Sequence, residues 1–457
     1  MRNRHPRPLL YQRPKMLTHP AADPISDFRC QARGLAKIRE RHQRSFSTTV
    51  GITSERAAGR APRGNTSVIP FGLLSPVTGE ALHHDTPHSL REGKRGPRWP
   101  VVDGIPYLRV GRDGLVGEVL GHLDKGAPGH ALELLLSDQD DWWTGPKADP
   151  AALRDLVRER TDISLREVCA RLGWGRVGDY FVHRWTDPTY LAGLALLEAH
   201  WNNPPCAFEL ACGIGHYLRE LHRRGVRVSG GDVVFAKLWV ARHWVCGQGP
   251  QLVCFDAASP HWPIDQAPVD LAMCHDAFYF LPDKARILDS LRKMAGEDGW
   301  LALSHVHNSA RPGFSAGHAV SCAEIEELCP DGLVYDDDEL TRALVAARAP
   351  VPAAPSALDH AEAFSVVCGP GMRPAPRPLV DGLTLPPEGA RLRLNPLYRP
   401  DPAGSYAIAW PSERYRDEYA PRATYPLHSE GPETLVMTTD TIDRARIREF
   451  VDLPERW

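Results

Sequence analysis

The apolar positions of this chain follow two rhythms. From Cys206 to Asn308, short apolar runs recur, and each is followed by a polar turn and then by a segment whose apolar residues stand three and four apart. That alternation predicts buried parallel strands joined by amphipathic helices, a doubly wound α/β sheet. The strands are expected at Ala207 to Ala211, Val226 to Gly231, Gln251 to Phe255, Val269 to Cys274 and Gly299 to Asn308. Helices are expected over Tyr217 to Arg224, over Ala236 to Val245, and after Asp283 through Met294.

On both sides the pattern changes. Residues 110 to 200 read as mainly helical, with Gly117 to Leu123 and His130 to Leu136 apolar-rich, and with Asp149-Pro150 placed as an N-cap and a first-turn proline for a helix to Arg160. Ser164 to Gly173 follows at helical spacing, with Gly173 as its C-cap. A helix-turn-helix reader of nucleic acid is the alternative for this segment. The acidic run Asp138-Gln139-Asp140-Asp141 just upstream favours a packed helical layer instead. Past Asn308, helices are expected over Ala323 to Leu328 and Asp337 to Ala347, then a Pro/Ala linker from Ala349 to Pro355, and a strand from Ala363 to Cys368 that completes the sheet. The rest is Pro-rich, with strands over Arg391 to Leu394, Ser405 to Ala409 and Thr434 to Met437 and a helix over Ile442 to Val451. Asn395 to Tyr398 and Tyr415 to Tyr419 either border a pocket or wrap the surface; wrapping is the expectation.

Composition narrows the classes. A chain of 457 residues with 42% apolar content can build one large core and a smaller one. The net charge of −3 gives no reason to expect a nucleic-acid or membrane partner. No apolar stretch approaches the ~20 residues of a membrane span. The ten cysteines form no C-x-x-C pair, and several lie inside apolar runs, so reduced thiols and a cytoplasmic setting are expected. Residues 1–65 are rich in Arg, and their only acids are Asp23, Asp27, Glu40 and Glu55. A disordered basic extension, either genuine or the product of a start assigned too far upstream, is expected there over an organelle transit peptide.

The first strand of the alternating region carries the chemistry. Glu209 lies within it, and Cys212-Gly213-Ile214-Gly215 follows where the chain must turn tightly into a helix. Glycine there lets the backbone approach a ligand and reach positive φ. Asp232 ends the next strand, 19 residues after Gly213, where a carboxylate can accept both hydroxyls of a ribose. Asp256 ends the third strand and suits an adenine amino group. A nicotinamide dinucleotide enzyme would want a third glycine at position 218, which is Leu218, and has no use for Glu209. A cationic sulfonium cofactor with an amino-acid tail explains that carboxylate.

Over about a hundred residues, Glu209-x-x-Cys212-Gly213-x-Gly215, Asp232, Asp256 and the segment Cys274 to Pro282 together resemble the class I S-adenosylmethionine-dependent methyltransferases, with their Rossmann-like fold. The resemblance implies that Glu209, Ala211, Cys212, Gly213 and Gly215 meet the methionine part of S-adenosylmethionine. It further implies Asp232 at the ribose and Phe255, Asp256 and Ala257 at the adenine, with Cys274 closing the strand beside them and Phe278 flanking the adenosine or the substrate. The segment Tyr180 to Arg184, with the helix from Pro188 through Glu198, is then a lid candidate. Upstream, Leu73-Leu74-Ser75-Pro76-Val77-Thr78-Gly79 and Trp99-Pro100-Val101-Val102-Asp103-Gly104-Ile105-Pro106 resemble a zinc-ribbon-like module found beside many methyltransferases. Ser75 and Thr78 stand where its cysteines would be, so a degenerate, metal-free module is expected, with His83, His84 and His88 read as surface residues. The implied organisation is a basic extension over 1–65, the ribbon-like module over 66–115, a helical lid or linker region over 116–200, the cofactor-binding domain over 201–370 and a Pro-rich extension over 371–457.

Methyl transfer is an in-line displacement, so alignment and exclusion of water are the protein's main tasks, and a base is needed only for a protonated acceptor. Catalytic candidates sit at strand ends facing the cofactor: His275 and Asp276, then His305 and His307, which alternation puts on one face. Tyr279 and Asn308 are the substrate candidates. No metal is expected, although two histidines with Asp276 across from them can hold a divalent ion, as some catechol-type methyltransferases do. The expected function is methyl transfer to the oxygen or nitrogen of a small, secondary-metabolite-like acceptor, and a homo-oligomer is the assembly considered. An inactive binding or activator protein, or an RNA methyltransferase, are the alternatives.

Overall fold

The computed structural model describes residues 72–265, 268–311, 317–402 and 404–457; the expectation for residues 1–65 lies outside them. The described residues fall in one compact unit. It opens with short antiparallel strands: β1 (Gly72–Leu74), β2 (Ala81–Thr86), β3 (Ser89–Glu92), β4 (Arg98–Val102) and β5 (Ile105–Pro106). Leu73, Leu82, Leu90 and Trp99 are buried while the adjacent His83 and His84 both face solvent, beside a register shift between His84 and Thr86.

Five helices follow: α1 (Asp113–Asp124), α2 (Pro128–Ser137), α3 (Pro150–Glu159), α4 (Leu165–Arg171) and α5 (Arg176–His183). Their starts obey the local signals. Asp149 accepts the N–H of Ala151 at 3.0 Å ahead of Pro150, and Ser164 and Glu167 close a capping box. The next helix, α6 (Pro188–Ala199), is apolar on every side and buried along its whole length. A helix of that kind belongs inside a core. It packs against the central sheet and one flanking helix, so the part of the lid candidate running to Glu198 is a sheet-flanking element.

The central sheet matches the alternating pattern. It uses β6 (Cys206–Leu210), α7 (His216–Arg223), β7 (Arg227–Asp232), α8 (Phe235–Val240), β8 (Gln251–Cys254), and then β9 (Ile264–Asp265), which leaves to pair with β1. It resumes with β10 (Leu271–His275), α9 (Lys284–Ala295), β11 (Trp300–His307), α10 (Cys322–Leu328), β12 (Leu333–Asp336), α11 (Asp337–Val345) and β13 (Ala363–Cys368). The strand order is β12-β13-β11-β10-β6-β7-β8, parallel from β11 to β8, with β13 reversed so that its pairings with β11 and β12 are both antiparallel. The chain winds outward from β6 in one direction and from β10 in the other. The crevice between the carboxyl ends of β6 and β10 is therefore the topological switch point, where open α/β sheets receive ligands.

The C-terminal part adds β14 (Arg391–Leu394), β15 (Tyr398–Pro400), β16 (Tyr406–Ile408), α12 (Glu413–Tyr419), β17 (His428–Ser429), β18 (Thr434–Val436), α13 (Ile442–Arg446) and β19 (Phe450–Val451). The expected helix over Ile442 to Val451 is thus shorter, because its last residues pair with β14 instead. This part does not pair with the central sheet and is fastened to the rest by side chains and by a backbone bond from Leu165 N to Arg456 O at 2.7 Å. Trp457 Nε1 donates to Val182 O at 2.7 Å, and Arg219 pairs with Asp452.

Candidate active site

A cavity of about 630 Å³ opens at the switch point. One wing is made by the glycine turn and the ends of β7 and β8. Gly213 has φ +55°, and a Cβ there would lie 3.2 Å from the Phe181 ring, so only glycine lets α5 close over the turn. Asp232 receives the N–H of Gly213 on one carboxylate oxygen and that of Val234 on the other, both at 2.9 Å, which fixes its plane at the strand end. Each oxygen keeps a second lone pair for a ligand hydroxyl. Phe255, Asp256 and Ala257 line the same wing. His216 donates from Nε2 to Phe181 O at 3.0 Å and ties α5 to the start of α7; burial, with Arg184 nearby, pushes its pKa well below the usual range.

Glu209 occupies the junction. Its side chain is buried in the cavity wall, and its Oε2 has no hydrogen-bond partner. Burial drives its pKa well above the ordinary value against the pull of Arg184. A buried carboxylate left this way is an acceptor for a cationic ligand.

The other wing gathers around Asp276, which follows β10 with φ +51°. Tyr180 donates to its Oδ2 at 2.8 Å, Tyr279 to its Oδ1 at 3.0 Å, and Arg184 pairs with Oδ2 at 2.9 Å. Burial works to raise the pKa of Asp276, but Arg184, His305 and His307 outweigh it and hold the carboxyl below its usual value. Opposite stands β11, whose register against β13 shifts between Leu303 and Val306, and His305 there has φ +53°. Such a bulge re-aims a side chain. The Nδ1 of His305 meets Asp337 Oδ2 at 2.6 Å, and Asp337 Oδ1 accepts from Ser365 at 2.6 Å, so Nε2 is left toward Asp276 at 3.9 Å. Burial lowers the pKa of His305, yet Asp276 and Asp337 carry it above normal. His307, 4.9 Å away between ring centroids, is pushed down to about 4 by burial and by His305. His275 binds Ser304 Oγ through Nδ1 at 2.6 Å, stacks on Tyr217, and is driven by burial to about 3. It is a neutral wall residue.

Three elements roof these wings. From α5 come Tyr180 and Phe181, with Arg184 just beyond; from the segment after α2 come Gln139, Asp140, Asp141, Trp142 and Trp143; and from α12 come Tyr415, Glu418 and Tyr419. Trp142 rests on Phe280, with ring centroids 5.7 Å apart. Tyr415 donates to Asp187, whose pKa burial raises to about 7.

The cavity collects Glu209, Ala211, Cys212, Gly213, Asp232, Phe255, Asp256, Ala257, His275, Asp276, Tyr279, His305 and His307. Four expected residues are not among its lining, and one of them, Phe278, is fully buried in the core instead of flanking a ligand. Asn308 is buried, with its amide bonded to Leu358 O and Ala361 O and its carbonyl to Ala310 N, so it ties down a loop and does not offer a substrate contact. Gly215 backs onto Cys246 at the start of α7, and Cys274 points into the sheet's core. Sequence reasoning passed over Arg184, Lys237, Trp142 and Asp337. Only Arg184 had a signal, as the end of the lid candidate. The α12 residues, expected to wrap the surface, stand in the cavity wall.

Residues 208–303 match the family described as a methyltransferase domain. No curated protein matches the chain. Among solved structures, an S-adenosylmethionine-dependent methyltransferase from Mesorhizobium loti is similar at 19% identity, TM-score 0.30, over 39% of this chain and 96% of that one. Phosphoethanolamine N-methyltransferase 2 of Haemonchus contortus is similar at 18% identity, TM-score 0.30, over 38% of this chain and 46% of that one. An amino pentose methyltransferase from Micromonospora echinaspora is similar at 19% identity, TM-score 0.23, over 30% and 54%. Several of these matches, including the first two found, span only about half of the partner chain, at 52% and 49%. None of these likenesses carries residue roles over to this chain. The family match lies on the sheet that bears the cavity.

Proposed function

We propose that the chain methylates an oxygen or nitrogen of a small-molecule acceptor, with the cofactor in the Glu209–Asp232–Ala257 wing and the acceptor in the Asp276–His305–His307 wing. The observation that carries this is the unpartnered, buried Oε2 of Glu209 at the junction of the two wings. S-adenosylmethionine, when bound, supplies a methyl group on a positively charged sulfur together with an ammonium. Glu209 is the group that meets that positive charge, Gly213 gives room for the tail, Asp232 takes the ribose, and Phe255, Asp256 and Ala257 hold the base.

The opposite wing fits an acceptor of modest size. Tyr180, Tyr279, Tyr415 and Tyr419 give it aromatic walls, while Asp276, Glu418 and Arg184 supply charge of both signs. Water is displaced as α5, α12 and the Trp142 segment cover the opening. Asp276, His305 and His307 flank the place where the nucleophilic atom must stand, so the proton or charge of that atom falls to them. Such a site in full supports a working enzyme over an inactive binding fold.

The N-terminal sheet is read as a degenerate ribbon. Ser75 Oγ accepts the N–H groups of Val77 and Thr78, both at 3.4 Å, so a hydroxyl closes the turn where a thiolate and its metal would otherwise serve. Its role is packing and support, since Leu108 N donates to Cys254 O beside β8 at 2.7 Å.

Isothermal titration of the full chain with S-adenosylmethionine and S-adenosylhomocysteine tests the reading. One equivalent of each is expected to bind, and Glu209→Gln is expected to discriminate between them less. Absence of binding for both sinks the proposal.

A further inference from the structure

One carboxylate oxygen of Asp276 and one imidazole nitrogen from each of His305 and His307 lie within 4.8 Å of one another. We infer that these three side chains form a binding site for a first-row divalent cation, with its remaining coordination positions opening on the cavity. The inference rests on the reading above that this wing receives the acceptor, and it specifies how the acceptor's charge is handled there.

Four observations point the same way. First, two imidazoles and one carboxylate on one side of a cavity are the donor set that suits Zn²⁺, Mn²⁺, Fe²⁺ or Co²⁺ and leaves sites open; Mg²⁺ and Ca²⁺ prefer oxygen throughout. Second, His305 already has the supporting contact that metal-ligating histidines need. Asp337 holds Nδ1 at 2.6 Å and is itself held by Ser365 at 2.6 Å, which fixes the ring and turns Nε2 toward the cluster. Third, His305 is delivered by a strand bulge at φ +53°, a left-handed conformation that a non-glycine residue keeps only when its surroundings hold it. Fourth, Arg184 and Tyr180 both engage Oδ2 of Asp276, while Oδ1, which accepts from the Tyr279 hydroxyl at 3.0 Å, is the oxygen that faces His305. The guanidinium thus holds the carboxylate by the oxygen turned away from His305, and the Tyr279 hydroxyl is the group a cation on Oδ1 shares that oxygen with.

The distances are compatible with loading. Metal–ligand bonds of about 2.1 Å in a tetrahedral arrangement put ligand atoms ~3.4 Å apart, so the cluster closes by about an ångström or a little more, within the reach of side-chain rotation. A bound cation lowers the pKa of a coordinated hydroxyl by several units, which favours an oxygen acceptor.

The test uses the full chain, stripped with chelator and titrated with Co²⁺ and Zn²⁺ alone by calorimetry, with visible absorption following Co²⁺. One equivalent is expected, with d–d bands of imidazole-bound cobalt. His305→Ala and His307→Gln are each expected to weaken binding at least tenfold, and Asp337→Asn, which keeps all three ligands, by about ten- to a hundredfold. The His83→Ala/His84→Ala variant, altered on the exposed β2 hairpin, is expected to bind as the native chain does. Two results overturn the inference: no cobalt or zinc uptake by protein that binds S-adenosylhomocysteine, or uptake unchanged in both His305→Ala and His307→Gln. Should a variant lose its circular dichroism spectrum, the native chain decides alone, since cobalt bands lacking imidazole character also overturn it. Loss of S-adenosylhomocysteine binding with metal uptake intact would instead strike the cofactor reading and leave this one standing.

Discussion

The two wings of the cavity are built in opposite ways. The cofactor wing comes from one continuous stretch, Glu209 to Ala257, in which three consecutive strands end side by side and the turn after β6 supplies its own geometry. The acceptor wing comes from α5, β10, β11, α11 and α12, and its defining contacts span the chain. Tyr180 reaches Asp276 across 96 residues, His305 reaches Asp337 across 32, and Tyr415 reaches Asp187 across 228. The first wing depends on local backbone form and the second on side chains brought together by packing. Damage to them should therefore look different.

The sharpest contrast is expected at Asp276. Its removal in Asp276→Ala leaves Arg184 buried without its partner, and breaking a buried pair from one side costs about 3–5 kcal/mol. Urea unfolding should show a loss of that size together with loss of turnover. A loss under about 1 kcal/mol would mean that the acceptor wing is not held by this ion pair.

Asp232→Ala should do the reverse, leaving the fold largely intact and weakening S-adenosylhomocysteine binding by about 10- to 100-fold, the ~1.5–3 kcal/mol of a hydrogen bond to a charged group. Calorimetry reads this directly. If binding and stability fall together, the separation of the wings fails.

A subtler separation comes from Asp337→Asn, which touches neither ligand. Turnover is expected to fall by about 10- to 100-fold, with cofactor affinity unchanged, because the ring of His305 loses its orientation. Steady-state kinetics, with kcat and KM measured separately, checks it. A rise in the cofactor's KM alone would contradict the assignment of His305 to the acceptor side.

The smallest effect is expected in acid. His216, in the cofactor wing, has a pKa well below its unfolded value of 6.5 because it is buried, with Arg184 adding to the effect. Below pH 6.5 the unfolded chain takes up a proton that the folded chain refuses, so this contribution to stability is complete above 6.5 and shrinks as the pH falls. His216→Gln should therefore flatten the decline of the melting temperature between pH 6.5 and 5 relative to the native chain. Parallel curves would show that the imidazole is already solvated there.

Legibility in the sequence follows the same division. Glu209, Gly213, Asp232 and Asp256 were readable because strand ends and glycine turns are written in short windows, and the cavity gathers all four. Asn308 was misplaced because it stands at the end of the fifth strand, where a side chain was expected to face the cofactor, whereas the backbone carbonyls of Leu358 and Ala361 claim its amide. His305 and His307 do share the cavity, although a bulge that no periodicity announces sets the ring of His305. Arg184 was marked only as the end of the lid candidate, and Asp337 by nothing but its place at a helix start. Each matters through a partner that only folding provides. The α12 residues looked like surface wrapping because Pro-rich composition says how a segment bends and nothing of what it covers.

By itself, then, the order of apolar runs, glycines and acids from Cys206 to Asn308 determined the sheet, the switch point and the cavity wing proposed for the cofactor. These depend on backbone geometry and hydrogen bonding over a few residues, which local residue types dictate. Tertiary structure alone decided what stands across the cavity from that wing. The pairing of Asp276 with Arg184, the support of His305 by Asp337 and the closure by α12 each join segments far apart in the chain. Their energies come from burial and charge at close range, which exist only once the core has formed.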